Sequence, residues 1–171
     1  MNDGPLIIRG IDEVVAALPH LLHVHPQNSL VIFPTDPGRS PLARIDMPTT
    51  DAERDEVADE LAPVYRVRTT PVVLLAYTDR RDLAEAACTR IAKALQPSTE
   101  VSAAVAVTGD RWVRLDRAER GTASQSSKDL YAAEGLLAAT LDEDEGVMLG
   151  EQEPVLVEGL RSGLVVTLSR W

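Results

Sequence analysis

Residues 72–107 read VVLLAYTDRRDLAEAACTRIAKALQPSTEVSAAVAV, and their pattern decides the fold. Val72-Val73-Leu74-Leu75-Ala76-Tyr77 is apolar without alternation, as in a strand covered on both faces. Leu83, Ala87, Ile91, Ala94 and Leu95 then recur at helical spacing, which predicts an amphipathic helix ending before Pro97. Val101 to Val107 supplies another strand. Strand, helix and strand in that order make a crossover unit, and a connection of that length joins parallel strands. The class expected is α/β.

Toward the N-terminus, Ser29 precedes Leu30-Val31-Ile32-Phe33, again apolar throughout, and a central strand is expected there. The turn formers of Pro34 to Pro41 lead to Leu42-Ala43-Arg44-Ile45-Asp46-Met47, whose alternation predicts the second strand of a hairpin with one wet face. Thr50 and Glu53 have capping-box spacing, so a helix begins there, with Val57, Leu61, Val64 and Tyr65 on its buried stripe and Pro63 expected to bend it or end its first part. Upstream, Leu6-Ile7-Ile8-Arg9 reads as a short strand. After Gly10 comes a helix with Ile11, Val14, Val15, Leu18, Leu21 and Leu22 inward, kinked or ended by Pro19.

Toward the C-terminus, Gly109-Asp110 is a turn, and Arg111-Trp112-Val113-Arg114-Leu115 alternates as an outer, partly solvated strand. Gly121 to Ser127 reads as a loop, with Ser126 or Ser127 capping a helix from Asp129 to Leu141. Asp142-Glu143-Asp144-Glu145 is a run of like charges, the mark of a solvated turn. Two short apolar segments follow, at Val155 to Leu160 and Gly163 to Leu168.

With 171 residues, 44% of them hydrophobic, the chain is long enough for one well-packed core. The expected architecture is a single domain with a mixed five- or six-stranded sheet and helices on both faces. Residues 1–141 form its body, and residues 142–171, an acidic turn plus an apolar segment, complete it. A net charge of -10 repels phosphate backbones, so no nucleic-acid partner is expected. The single cysteine, Cys88, has no internal disulfide partner; it falls in an alanine-rich helix, where a buried, inert thiol is expected. No apolar run reaches the roughly 18 residues of a membrane span and no leader pattern opens the chain, so a cytoplasmic protein is expected. The C-terminal apolar run offers a sheet edge to a second copy, hence a homodimer.

Four motifs in order carry a family resemblance: Pro19, Leu21, Leu22, Pro26, Ser29, Leu30 and Val31; then Ala43-Arg44-Ile45-Asp46-Met47-Pro48; then Val73-Leu74-Leu75-Ala76-Tyr77-Thr78-Asp79; then Gly109-Asp110-Arg111-Trp112. Over residues 5 to 141 the chain resembles the domain of unknown function 4192 family, widespread in actinobacteria. The resemblance implies a shared fold and an actinobacterial source, and no chemistry, because the family name carries no activity. The chain departs from the family pattern at His23, where a glycine is usual, and near Gly121, where many relatives have cysteines and prolines.

Two constellations of side chains merit a chemical reading. His20, His23 and His25 are all the histidines of the chain. The first two are one helical turn apart and the third follows closely, which suits a zinc, nickel or copper ion, with Asp12, Glu13 or water as a fourth ligand. Against this, each histidine has a local explanation as a helix-surface residue, a single substitution or a loop hydrogen-bonder. Asp46, Asp79 and Asp110 each follow an apolar strand. Ligands of open α/β sheets sit beyond the carboxyl ends of strands, so two of these carboxylates could converge on a magnesium ion or a ribose. Locally, Thr78 or Asp79 would instead cap the next helix and Asp110 would belong to its turn. Ser29 with His25 lacks a third member to orient the imidazole, and a serine opening a strand more often bonds its own turn.

The function these observations favour is a binding or assembly module without catalysis. The alternative, from another class, is a metal-dependent hydrolase using the His20, His23 and His25 cluster.

Overall fold

The computed structural model describes residues 10–35, 40–123, 125 and 165–167. Its elements in chain order are α1 (Ile11–Leu21), β1 (Ser29–Pro34), β2 (Leu42–Asp46), α2 (Asp51–Arg66), β3 (Val72–Tyr77), α3 (Arg81–Leu95), β4 (Val101–Thr108), β5 (Arg111–Arg114), β6 (Arg120–Thr122) and β7 (Val165–Thr167). The strands form one mixed sheet in the order β6-β5-β4-β3-β1-β2-β7. Among the described strands only β3 and β4, joined through α3, are parallel; the remaining pairs are antiparallel. The three strands expected at the centre, β1, β3 and β4, are adjacent there.

Strand alternation sends successive side chains to opposite faces, and each face has its own helical cover. On one, Val31, Phe33, Val73, Leu75, Val105 and Val107 pack with Val14, Val15 and Leu18 of α1. On the other, Leu30, Ile32, Leu74 and Ala76 pack with Leu61 and Tyr65 of α2 and with Ala87 and Ile91 of α3. Every residue of β1 and β3 is buried, which is why neither shows a polar alternation. The small side chains of Ala84 and Ala87 on α3 are fully buried, as expected where helix and sheet approach closely. Polar groups inside this layer are satisfied: the Tyr65 hydroxyl donates to the Pro41 carbonyl at 2.8 Å, and Thr99 Oγ1 donates to the Tyr65 carbonyl at 3.2 Å.

The capping box at α2 forms as its spacing predicts. Thr50 Oγ1 accepts from the Glu53 N–H and Glu53 Oε2 accepts from the Thr50 N–H, both at 3.2 Å. Neither internal proline ends its helix at once: α1 runs past Pro19 to Leu21 and α2 past Pro63 to Arg66. Both stand within the last four helical residues, where the missing N–H costs a single terminal bond.

One expectation is corrected. Arg111–Arg114 is not outermost, because Arg120–Thr122, placed partly in an expected loop, pairs with it as β6. Gly121 hides this strand from a propensity reading, yet it stands opposite Trp112, where only a residue without a side chain leaves room for the indole. Val165–Thr167 of the C-terminal apolar run pairs with β2 of its own chain and ends the sheet among the described residues. The strand expected at Leu6 to Arg9, the helix from Asp129 to Leu141 with its serine caps, the acidic run 142–145 and the segment 155–160 lie outside the described residues.

Candidate functional site

The crossover fixes where a ligand can sit. β3 and β4 run parallel and end together at Tyr77 and Val107, and the antiparallel β1 begins at the same end, with Ser29 opposite Tyr77. A cleft of about 330 Å³ opens there, lined by Pro26 to Asn28, Tyr77 to Asp79 and Val107 to Gly109. It lies beyond the carboxyl ends of the parallel pair, the position that open α/β sheets use for ligands. Two residues with positive φ shape it: Asn28 (44°), where the chain turns into β1, and Gly109 (59°), where it turns out of β4. A Cβ built on Gly109 would meet nothing within 4 Å, so that wall is open.

The strand ends are pinned to one another. The Thr78 N–H donates to the Val107 carbonyl at 3.2 Å, and Thr108 Oγ1 donates to the Thr78 carbonyl at 3.2 Å. Thr78 Oγ1 accepts from the Arg80 N–H at 3.1 Å, and no side chain caps α3. The helix-capping role proposed for Thr78 or Asp79 therefore reduces to this Thr78 turn. It leaves the Asp79 carboxylate exposed at the cleft, without a hydrogen bond among the described residues. Tyr77 also lines the cleft; its hydroxyl is buried without a hydrogen-bond partner among the described residues, and burial pushes its pKa upward, keeping it protonated.

Of the three aspartates, Asp79 alone borders the cleft. Asp46 ends β2, which lies beyond β1; at roughly 4.8 Å per strand it stands about 10 Å away from the β3 end. Asp110 sits in the hairpin turn, and its carbonyl accepts from the Ala123 N–H. The strand order thus keeps Asp46 apart from the other two carboxylates. The histidines do not assemble either. α1 ends at Leu21, His23 has a φ of 53° that turns the backbone off the helical path, and His25 is exposed beyond it. They remain close enough to interact: the His20 imidazole is pushed below its ordinary value by burial, then by His25 and His23. Among the described residues no group of three or more His, Cys, Asp or Glu side chains is placed to hold a metal ion. The zinc, nickel or copper set, and the metal-dependent hydrolase built on it, gain no support from this arrangement.

Ser29 donates to the Gln27 carbonyl at 2.7 Å and accepts from Arg44 Nε at 3.2 Å, so its hydroxyl holds the turn into β1 rather than facing a base. Cys88 is buried, and burial pushes its thiol up to about 12, away from the thiolate. No helix among the described residues is long and apolar enough to cross a membrane.

The family model described as Domain of unknown function (DUF4192) matches residues 12–144. The chain belongs to this family. Comparisons with curated proteins and with solved structures gave no match. Within this DUF4192 domain, the motifs that carry the family pattern fall largely at one end of the sheet. Pro26 and Ser29 frame the turn into β1, Thr78 and Asp79 leave β3, and Gly109 and Asp110 join β4 to β5. Sequence reasoning named Asp79 but missed Gln27, Asn28 and Thr108 as neighbours. Their signal was positional: Gln27 and Asn28 lie one or two residues before β1 and Thr108 ends β4, and their convergence depends on β1 lying against β3.

Proposed function

We propose that this DUF4192 domain is a binding module for a small ligand held in the cleft at the ends of β3 and β4. The observation that carries the reading is the cleft's location beyond the carboxyl ends of the parallel pair β3 and β4, with Asp79 at its edge. A binding role fits its chemistry better than catalysis. The described lining offers one carboxylate and one tyrosine held protonated by burial, and no nucleophile beside a base. A net charge of -10 supports a partner other than nucleic acid. A second copy pairing with the outer edge of β7 belongs to the same reading as an assembly role; a monomeric mass by light scattering at tens of micromolar would remove that part.

The test is a heteronuclear NMR spectrum of labelled protein recorded with and without a small-molecule extract of cells. Amides of residues 26–28, 77–79 and 107–109 are expected to shift together while those in the middle of α2 stay in place. Shifts confined to another face, or none at all, would overturn the cleft as the binding site.

A further inference from the structure

Resting on the cleft proposed above, we infer that its ligand is an uncharged polyhydroxylated molecule, a sugar or polyol, and that phosphorylated forms are rejected. Among the described residues, Asp79 is the only lining residue that carries a formal charge at neutral pH, and no lysine, arginine or histidine joins it. Arg80, next in the chain, turns its guanidinium to Asp82 at 2.7 Å. A phosphate placed here would meet the Asp79 carboxylate and no lining cation among the described residues; phosphate sites depend on Arg, Lys or a free helix N-terminus, and at the nearby start of α3 the N–H groups of Asp82 and Leu83 already face the Asp82 carboxylate.

The remaining choice is between hydroxyls and an ammonium group, since both donate to a carboxylate. Across from Asp79 stand Gln27 and Asn28, exposed, with side-chain amides that make no hydrogen bond among the described residues. An amide presents two N–H donors and an acceptor, a carboxylate presents acceptors only, and the Thr108 hydroxyl can still accept. An ammonium group satisfies the acceptors but offers nothing to the amide donors, which stay with water. A hydroxyl donates and accepts at once, so a ligand with adjacent hydroxyls serves both walls: one donates to Asp79 while its neighbour accepts from Gln27 or Asn28. The volume, about 330 Å³, falls at the small end of ligand pockets, fitting a monosaccharide-sized occupant.

The probes are ribose, glucose and myo-inositol, each titrated into labelled full-length protein, with ribose 5-phosphate and 1,4-diaminobutane as the contrasting arms. At least one neutral polyol is expected to shift the amides of Gln27, Asn28, Asp79 and Gly109 in a saturable way, and ribose 5-phosphate to bind at least about tenfold more weakly than ribose. Asp79→Asn, a substitution at an exposed position that leaves the fold intact, is expected to weaken the polyol by about tenfold or more, the factor that corresponds to one charge-assisted hydrogen bond. Binding of the diamine or the phosphosugar in the cleft, with the polyols silent, would overturn the ligand class and leave the cleft standing as a site. Silence of all these probes, with the cell extract still shifting the cleft amides, also overturns the class alone. Silence of the extract as well removes the binding module itself.

Discussion

Gly121 on β6 lies directly opposite Trp112 on β5, and a Cβ added to it would stand 2.7 Å from Cζ2 of the indole. Trp112 is itself buried, packed with the α1 face of the core, so the ring cannot swing into solvent without opening that core. Gly121→Ala is expected to lower stability by about 1–3 kcal/mol, the usual cost of overpacking. Denaturant unfolding followed by far-ultraviolet circular dichroism measures it. In a Trp112→Leu background the same change should cost markedly less, because the clashing ring is gone; equal costs in both backgrounds would show that the contact is not responsible.

Ile32 on β1 and Leu74 on β3 are cross-strand partners, each with 0% exposure. Leu74→Ala is expected to cost about 2–5 kcal/mol, a large share of the stability of a domain this size. Val67, 76% exposed just after α2, is the matched control, and Val67→Ser should stay within about 0.5 kcal/mol. Midpoints of urea unfolding with unchanged slopes would establish both values.

How far the residues alone lead is clear from these two positions. Ile32 and Leu74 belong to apolar runs whose burial on both faces follows from the lack of alternation, so the central strands and the parallel crossover are legible without coordinates. Gly121 is the opposite case. Its place in a strand depends on the shape of a partner nine residues away, and glycine has no strand propensity to announce it. The candidate site divides in the same way. Asp79 is legible because a ligand rule points to the end of β3, whereas Gln27 and Asn28 join it only because β1 inserts between β3 and β2. That insertion also carries Asp46 away. The histidines mislead through spacing: three imidazoles within six positions look like a ligand set until the helix ends between the first and second.

The α2 capping box gives a pH prediction. The Glu53 carboxylate is held below the usual glutamate range chiefly by the Thr49 N–H, then by the Thr49 hydroxyl and the Thr50 N–H. A carboxylate with a depressed folded-state pKa contributes stability that is complete above the ordinary value of 4.5 and lost as pH falls through the depressed one. Glu53→Gln is expected to lower stability at neutral pH and flatten the acid limb of the stability curve. Thr50→Ala should cost about 1 kcal/mol at neutral pH by removing the acceptor for the Glu53 N–H. A Gln variant whose acid limb keeps the parent slope would show that the carboxylate is not the group being titrated.

His20 acts in the same direction at a higher pH. Its folded-state pKa lies below the ordinary 6.5 because burial disfavours the imidazolium, and His25 and then His23 add repulsion. The unfolded chain therefore takes up a proton before the folded one does. Stability tied to His20 is complete above 6.5 and declines as pH falls from there toward the depressed value. His20→Asn, which cannot charge, is expected to lose that decline, so parent and variant converge on acidification even if the variant starts lower at neutral pH. His25→Asn should recover a smaller part of it, since only the stronger of the two repulsions is removed. Urea midpoints across the interval from neutral to mildly acidic pH give the comparison. A His20→Asn curve parallel to the parent throughout would show that the unfolded and folded chains bind the His20 proton equally well.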